Sequence, residues 1–599
     1  MNSKLSHMPS QTDSLRTICL IAAIAASALA FSMNVTSFLH LKETVLAILL
    51  VPLALLSINQ RDQIPQGIRQ FLPLILLTLV PFAISLLPNY SQVPALMHRE
   101  QARLAVLILY SVLAFDLLRD DRYRRVITNA FLATATIAAL LAYLQRFERA
   151  TWIFPIFEDS IDPIYSVFGN SGLLGGYLAM AVPMAVHRAL TAKRPAAPLL
   201  ILVTITPILV LTSSRGSWVA AILGTLIIIP YRDLLKKRFW VTTAILVIST
   251  AATLINVQGT GPSHWLSEEK QDTIRLRLWF WDGAQRMSAA NPITGVGLGN
   301  FQYWTPHYQG DALQANPDHT HNEVHTQYAH NEPLHLAAET GLIGILLCGW
   351  MLTRLLRCKG PEWGGLAAAL TFGLFHFPLH SAPHALMVIL FATMLLARRK
   401  ESEDRSLSDE DAASRKEVDL PNSETPSLRG VSHPNCSANR EANDAAISPH
   451  GISYTPAQKT WITAAAITSI FLAAFTIYDV LRPSIALREA NNLYNENQPA
   501  NEAYKKATNT GRYHPKAHAD YVNLLLEQGD LDQAREQLEL ALKGQDTGDL
   551  HLALAYIHLE QGNTEQAIKL LQGTLHRWPD NQTAHEYTNS FPVNIQSIL

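Results

Sequence analysis

Three groups of residues in this chain could do chemistry together. The run Tyr328-Ala329-His330-Asn331-Glu332 closes a histidine-dense stretch that also holds His319, His321 and His325, with His335 just beyond. A neutral imidazole titrates near pH 6.5, so one of these can take the proton from a hydroxyl as its oxygen attacks an electrophilic carbon. The segment Thr212-Ser213-Ser214-Arg215-Gly216 sets one arginine in a tight turn between two apolar stretches, where a charge is expensive. Its fork matches phosphate oxygens, and Ser213 or Ser214 at a helix start could add backbone N–H groups to the same anion. In Arg275-Leu276-Arg277-Leu278-Trp279-Phe280-Trp281, Arg277 precedes Trp281 by four and shares a helix face with it.

Plainer readings stand beside each of these. The histidines can be polar loop residues at a membrane surface, and Arg215 can anchor lipid headgroups. A zinc site would use His321 and His325, which are four apart, but no cysteine is near and the HExxH pattern is absent, so no metal is read here. The glycine-rich run Asn291-Pro292-Ile293-Thr294-Gly295-Val296-Gly297-Leu298-Gly299-Asn300-Phe301 lacks a preceding strand and a phosphate-loop lysine, so it is not a nucleotide site. Glu339 can orient His330 or end a short helix before Gly341. Asn331 is as suited to capping that helix as to touching a sugar.

The elements that must position these residues are membrane helices. Of 599 residues, 48% are hydrophobic and 16% charged, which excludes an ordinary soluble enzyme. The net charge of −2 carries no basic excess, so no nucleic acid is expected as a partner. The four cysteines, Cys19, Cys348, Cys358 and Cys436, form no CxxC pair and no disulfide framework. Blocks of about 20 apolar residues, the length that crosses a bilayer, recur near 17–34, 41–58, 71–88, 101–118, 126–145, 166–189, 197–212, 216–231, 239–256, 335–356, 363–379, 382–397 and 459–479. The apolar run from Ile18 is read as the first span rather than a cleaved leader. The fold expected is all-α: a polytopic bundle of 12–13 transmembrane helices followed by an α-solenoid.

With the N-terminus inside, the loops after even-numbered spans collect Lys and Arg on the cytoplasmic side, from Arg61 and Arg69 through Arg119, Arg122, Arg124 and Arg125 to Arg398, Arg399 and Lys400. Parity then places the long loop 257–334 outside, along with everything after the last span. Residues 401–458, rich in Ser, Asp, Glu, Asn and Pro, have the composition of a disordered cytoplasmic linker. Beyond residue 485 two stretches align at an offset of 33, Leu525-Leu526-Glu527-Gln528-Gly529-Asp530 on His558-Leu559-Glu560-Gln561-Gly562-Asn563. This pattern resembles tetratricopeptide repeats, with a degenerate first unit around Tyr494 to Ala507, and such a solenoid over 485–590 can hold a protein partner.

Taken in order, Phe168-Gly169-Asn170, Ser214-Arg215-Gly216, Arg277 with Trp281, Asn291-Pro292, Gly295 to Phe301, His330-Asn331-Glu332 and Glu339-Thr340-Gly341 resemble the bacterial O-antigen ligase and polymerase superfamily. The likeness covers about 160–395, divides the bundle into helices 1–160 and a core 161–400, and departs at Ser171, where such proteins often have proline. The resemblance implies a metal-independent inverting glycosyltransferase with no cofactor. Its donor would be a glycan on undecaprenyl diphosphate at the periplasmic face of the inner membrane. Its acceptor would be a hydroxyl on lipid A core, on a second glycan or on protein. Carried over by position, Arg215 and Arg277 hold the diphosphate and His330 activates the acceptor, with Ser214, Trp281, Asn331 and Glu339 as substrate contacts. A polytopic transporter, or a scaffold with a repeat domain, is the competing class. Neither an inverted repeat nor a run of charges within the spans favours the first, and one span would suffice for the second.

Overall fold

The structure is a computed structural model describing residues 10–32, 34–57, 64–85, 94–146, 164–230, 236–255, 268–315, 326–418, 456–510, 515–577 and 584–586. Its described residues contain helices and no strand. The first part of the bundle is α1 (Gln11–Leu29), α2 (Phe38–Leu56), α3 (Ile64–Ser85), α4 (Pro94–Ala114) and α5 (Asp121–Arg146). Then come α6 (Ser171–Thr191), α7 (Ala196–Leu211), α8 (Arg215–Ile228) and α9 (Lys237–Ile255). The long loop supplies α10 (Glu268–Ala290) and α11 (Phe301–Ala315), and the bundle ends with α12 (Glu332–Leu356), α13 (Glu362–Phe372), α14 (Ala382–Val418) and α15 (Pro456–Phe475). Six further helices follow among the described residues: α16 (Arg482–Asn495), α17 (Asn501–Thr508), α18 (Pro515–Glu527), α19 (Leu531–Leu542), α20 (Gly548–Glu560) and α21 (Thr564–Arg577).

Each apolar block of the sequence falls on a helix, and eight helices among the described residues are long and apolar enough to cross a membrane. Others fall short for visible reasons. α7 and α8 have 16 and 14 residues, spanning roughly 24 and 21 Å against a hydrocarbon thickness of about 30 Å. The block expected at 363–379 stops at Phe372 after 11 residues, and a turn containing Pro378 carries the chain on to Ser381. The expected linker also begins later than Glu401, because α14 continues to Val418. Its charges pair one turn apart, Arg399 with Glu403 at 2.8 Å and Lys400 with Asp404 at 2.9 Å, which favours helix over coil. Residues 419–455 lie outside the described residues.

α6 is the centre of the bundle. It is apolar on every side and is covered by α7, α8 and α13, so almost all of its residues are buried. Glycines on one of its faces let neighbours touch its backbone: a Cβ at Gly172 would lie 2.3 Å from His376 Nε2, and one at Gly176 would lie 2.3 Å from the Phe372 ring. At one end of the bundle cations are paired, the buried Arg16 with Asp116 at 2.6 Å, the buried Arg124 with Glu401 at 2.9 Å and the half-buried Arg398 with Glu362 at 2.9 Å. The candidate site forms at the other end.

α12 is two helices in one. At Gly341 the backbone turns to φ 58° and ψ −153°, a region open essentially to glycine alone. The glycine-rich run 291–300 fills that break. Val296 N–H donates to Ala338 O at 2.9 Å, Gly297 N–H to Glu339 O at 3.0 Å, and Leu342 N–H to Pro292 O at 2.9 Å. The two backbones approach so closely that a Cβ at Gly341 would lie 2.5 Å from the Ile293 carbonyl. Gly341→Ala is therefore expected to destabilise the protein by about 3 kcal/mol or more, read as a lower thermal unfolding midpoint in detergent. An unchanged midpoint would show that the clasp is dispensable.

The last six described helices form three antiparallel pairs; the first five share a core of Leu487, Tyr504, Tyr521, Leu525, Leu538 and Ile557, and Leu571 of α21 packs with Leu552 and Ala555 of α20. The turns within the pairs pass through left-handed residues, Gly529 at φ 74° and Gly562 at φ 79°, with Asn497 at φ 55° standing where glycine would be in the first unit. Between α15 and α16 the chain stays helical through a π segment, Thr476–Leu481, so the last span runs into the first pair without a loop. The pairs also stand on the bundle: Thr36 Oγ1 is 2.7 Å from Ser484 Oγ, and a Cβ at Gly310 of α11 would be 2.5 Å from Arg577 O.

Candidate functional site

Arg215 opens α8. Thr212 and Ser213 make the turn from α7, with Ser213 held at φ 54°, and Ser214 occupies the N-cap position. The Ser214 and Ser217 hydroxyls lie 2.7 Å apart, and a Cβ at Gly175 of α6 would come within 2.7 Å of Ser217 Oγ. The glycine lets the turn press onto α6.

α10 brings the second arginine. Trp279 N–H donates to Gln309 O at 2.9 Å and fixes α10 on α11. One turn of α10 then presents Arg277, Phe280 and Trp281 together. Phe280 stacks on His330 with ring centroids 5.9 Å apart, and the Trp281 indole N–H is buried with no hydrogen-bond partner among the described residues.

His330 sits at the end of the loop that precedes α12, at φ 52°, a conformation that costs a non-glycine residue about 1–3 kcal/mol. The surroundings over-determine it. Asn331 accepts from Leu334 N–H at 3.0 Å, and its amide donates to Leu374 O at 3.2 Å. Glu332 N–H donates to Gly373 O at 2.7 Å, while the Glu332 carboxylate accepts from Leu379 N–H at 2.7 Å. These bonds sew the loop 373–381 onto the start of α12. They also bring His376 to within 5.2 Å of His330, centroid to centroid, with Phe377 at 5.0 Å. Nδ1 of His330 has no hydrogen-bond partner among the described residues.

The electrostatics tie the three groups together. Burial lowers the Arg277 guanidinium from its ordinary value, and repulsion from Arg215 lowers it further. No carboxylate pairs with Arg277 among the described residues. His330 is pushed down to about 4, first by burial, then by the positive field of Arg277 and by His335. Arg215 acts on Arg277 and Arg277 acts on His330, so two guanidiniums and an imidazole from distant parts of the chain lie within electrostatic reach of one another. Such a grouping is suited to an anion carrying more than one charge.

The other expected contacts are placed differently. Ser214 lies in the Arg215 turn and Trp281 beside Arg277. Asn331 caps α12. Glu339 is buried against His335 Nε2 at 3.4 Å and accepts from Phe301 N–H at 3.2 Å, so it braces the His335 side of the loop instead of holding His330. His335 Nδ1 in turn lies 3.4 Å from the Ala329 amide. His319, His321 and His325 lie outside the described residues. Among the described residues no three His, Cys, Asp or Glu side chains converge as a metal-binding set. His376 and Phe280 were not anticipated. The signal for the first was present in Phe375-His376-Phe377-Pro378-Leu379-His380, where histidines interrupt an apolar block.

Comparison with protein families bears directly on this end of the bundle. Residues 200–349 match the O-antigen ligase family model, a stretch that contains Arg215, Arg277 and His330. Residues 520–582 match a tetratricopeptide-repeat model. No curated protein matches the chain. With its apolar helices, the chain is a multi-pass membrane protein that carries an O-antigen ligase domain and, after its last span, tetratricopeptide repeats.

Proposed function

We propose that this protein transfers a glycan from undecaprenyl diphosphate to a hydroxyl acceptor, with inversion at the sugar C1, at the periplasmic side of the inner membrane. What supports the reading is one arrangement: Arg215 repels Arg277 and Arg277 repels the protonated form of His330, a repulsion that a bound diphosphate would relieve. The paired cations at the opposite end of the bundle fit a cytoplasmic face.

The step balances without a further reagent. The acceptor O–H proton passes to His330 as its oxygen bonds to C1. The bond from C1 to the diphosphate oxygen breaks, and the lipid diphosphate leaves with the electron pair onto oxygens that the two guanidiniums stabilise. The imidazolium then loses its proton to water. Among acceptors, a lipid-anchored core glycan is the leading choice and a protein serine or threonine the second.

The test is purified protein incubated with an undecaprenyl-diphosphate oligosaccharide and each acceptor class, with product mass and anomeric configuration read by mass spectrometry and NMR. Product of inverted configuration on a glycan acceptor is expected. Retained configuration, or donor consumed with no glycosylated product in any class, would overturn the proposal.

A further inference from the structure

A cavity of about 460 Å³ lies on the other side of the 326–330 loop, between the membrane bundle and the repeats. We propose that it binds the glycan of the acceptor at a unit beyond the reacting one, with the repeat domain forming one wall; this rests on the transfer reaction proposed above. The walls come from six places: Ser37 before α2, Arg99 on α4, Gln302 on α11, Gln327 in the histidine loop, Asp479 in the π segment, and Lys516, Gln545 and Thr547 on the repeats.

Two observations carry the assignment. The lining mixes hydroxyls, amides and a few charges, such as Ser37, Gln302, Gln327, Lys516 and Thr547, with apolar faces such as Pro306 and Phe475, the combination that pairs with a sugar's alternating donors and acceptors and its apolar ring face. The position also fits. Gln327 is three residues before His330, a reach of at most about 10 Å of extended chain, so a unit in the cavity belongs to the same acceptor whose hydroxyl meets His330. A smaller chamber of about 50 Å³ continues from the cavity past Gln327 to Tyr328. The Tyr328 ring stacks on Phe377 at 4.5 Å, and Phe377 contacts His330.

Binding energy gained away from the reacting centre can be used to orient it. The repeats then complete the enzyme's own site, a role separate from recruiting a partner. Without Lys516, Gln545 and Thr547 the cavity would have no wall on that side.

The test uses the full chain in detergent with a fluorescently tagged trisaccharide, a serine-containing peptide and an undecaprenyl-diphosphate oligosaccharide. Gln545→Trp and Ser37→Trp fill the cavity from facing walls, and Gln545→Ala removes a contact without adding bulk. The expected result is a ten-fold or greater rise in KM for the trisaccharide in both tryptophan variants. A several-fold rise in the alanine variant and matching losses of trisaccharide binding by anisotropy are also expected, with the donor KM within two-fold. Unchanged trisaccharide binding in all three variants would overturn the proposal, as would loss confined to the peptide, which would make protein the occupant. The anisotropy readout involves no chemistry, so its outcome stands apart from that of the transfer reaction. Transfer persisting in His330→Ala would sink the reaction alone.

Discussion

Arg277→Ala should lower kcat/KM for glycan transfer by about 10³-fold, the scale of losing one preorganised group that meets charge as it develops. The same variant should unfold at a temperature no lower than the parent's. In the ligand-free protein Arg277 is disfavoured by burial and by its like-charged neighbour Arg215, so removing it relieves repulsion. Loss of activity with unchanged or improved stability is the pattern of a residue kept for its ligand. Arg277→Lys keeps a charge but loses the planar fork, and about a ten-fold loss should remain. An alanine variant that lost stability and activity together would point to a structural arginine, and one with normal kinetics would remove it from the site. Steady-state kinetics and thermal unfolding in one detergent settle the matter.

The second large effect belongs to His330. His330→Gln keeps much of the shape and removes the base, and a loss of about 10²–10⁴-fold in kcat is expected. The acid limb of the pH profile carries the finer prediction. Burial and Arg277 hold the imidazole down to about 4, so above that pH the neutral, proton-accepting form prevails. For the free enzyme, kcat/KM should stay level from neutral pH down to about 5 and fall as the pH drops through about 4. Once a diphosphate is bound, its negative charge offsets the field of Arg277 and the imidazole holds a proton more readily, so the limb of kcat should move to higher pH. Coincident limbs, or a limb unmoved by His330→Gln, would contradict the assignment of the base.

Much of the bundle was readable because membrane helices are written in composition. A run of apolar residues with no charge has few alternatives, and each such run from Gln11 onward falls on a helix. Arg215 and Arg277 stood out for a related reason, since a cation beside apolar runs needs an explanation. What could not be read was anything defined by two distant segments at once. The run Gly295 to Asn300 looks like a loose loop until Gly341 breaks α12 and receives its hydrogen bonds. His376 was hidden inside a block that looks like a span. Only when α13 stops at Phe372 and Glu332 captures the Leu379 amide does that histidine arrive beside His330. Glu339 had two equally good roles in sequence, orienting His330 or ending a helix before Gly341, and packing set it instead against His335 and the Phe301 amide.

The helix that passes unbroken from Pro456 through Thr476–Leu481 to Asn495 leaves the chain's final fifth no swivel. Its bearing and its height above the bilayer are geared to each other by the screw of one helix. A single residue added after Phe475 would rotate everything beyond it by about 100° and lift it about 1.5 Å. Seven added residues would lift it about 10 Å yet return it to within about 20° of its starting direction. These two insertions therefore separate compass heading from altitude, a distinction that a domain on a flexible tether would not register.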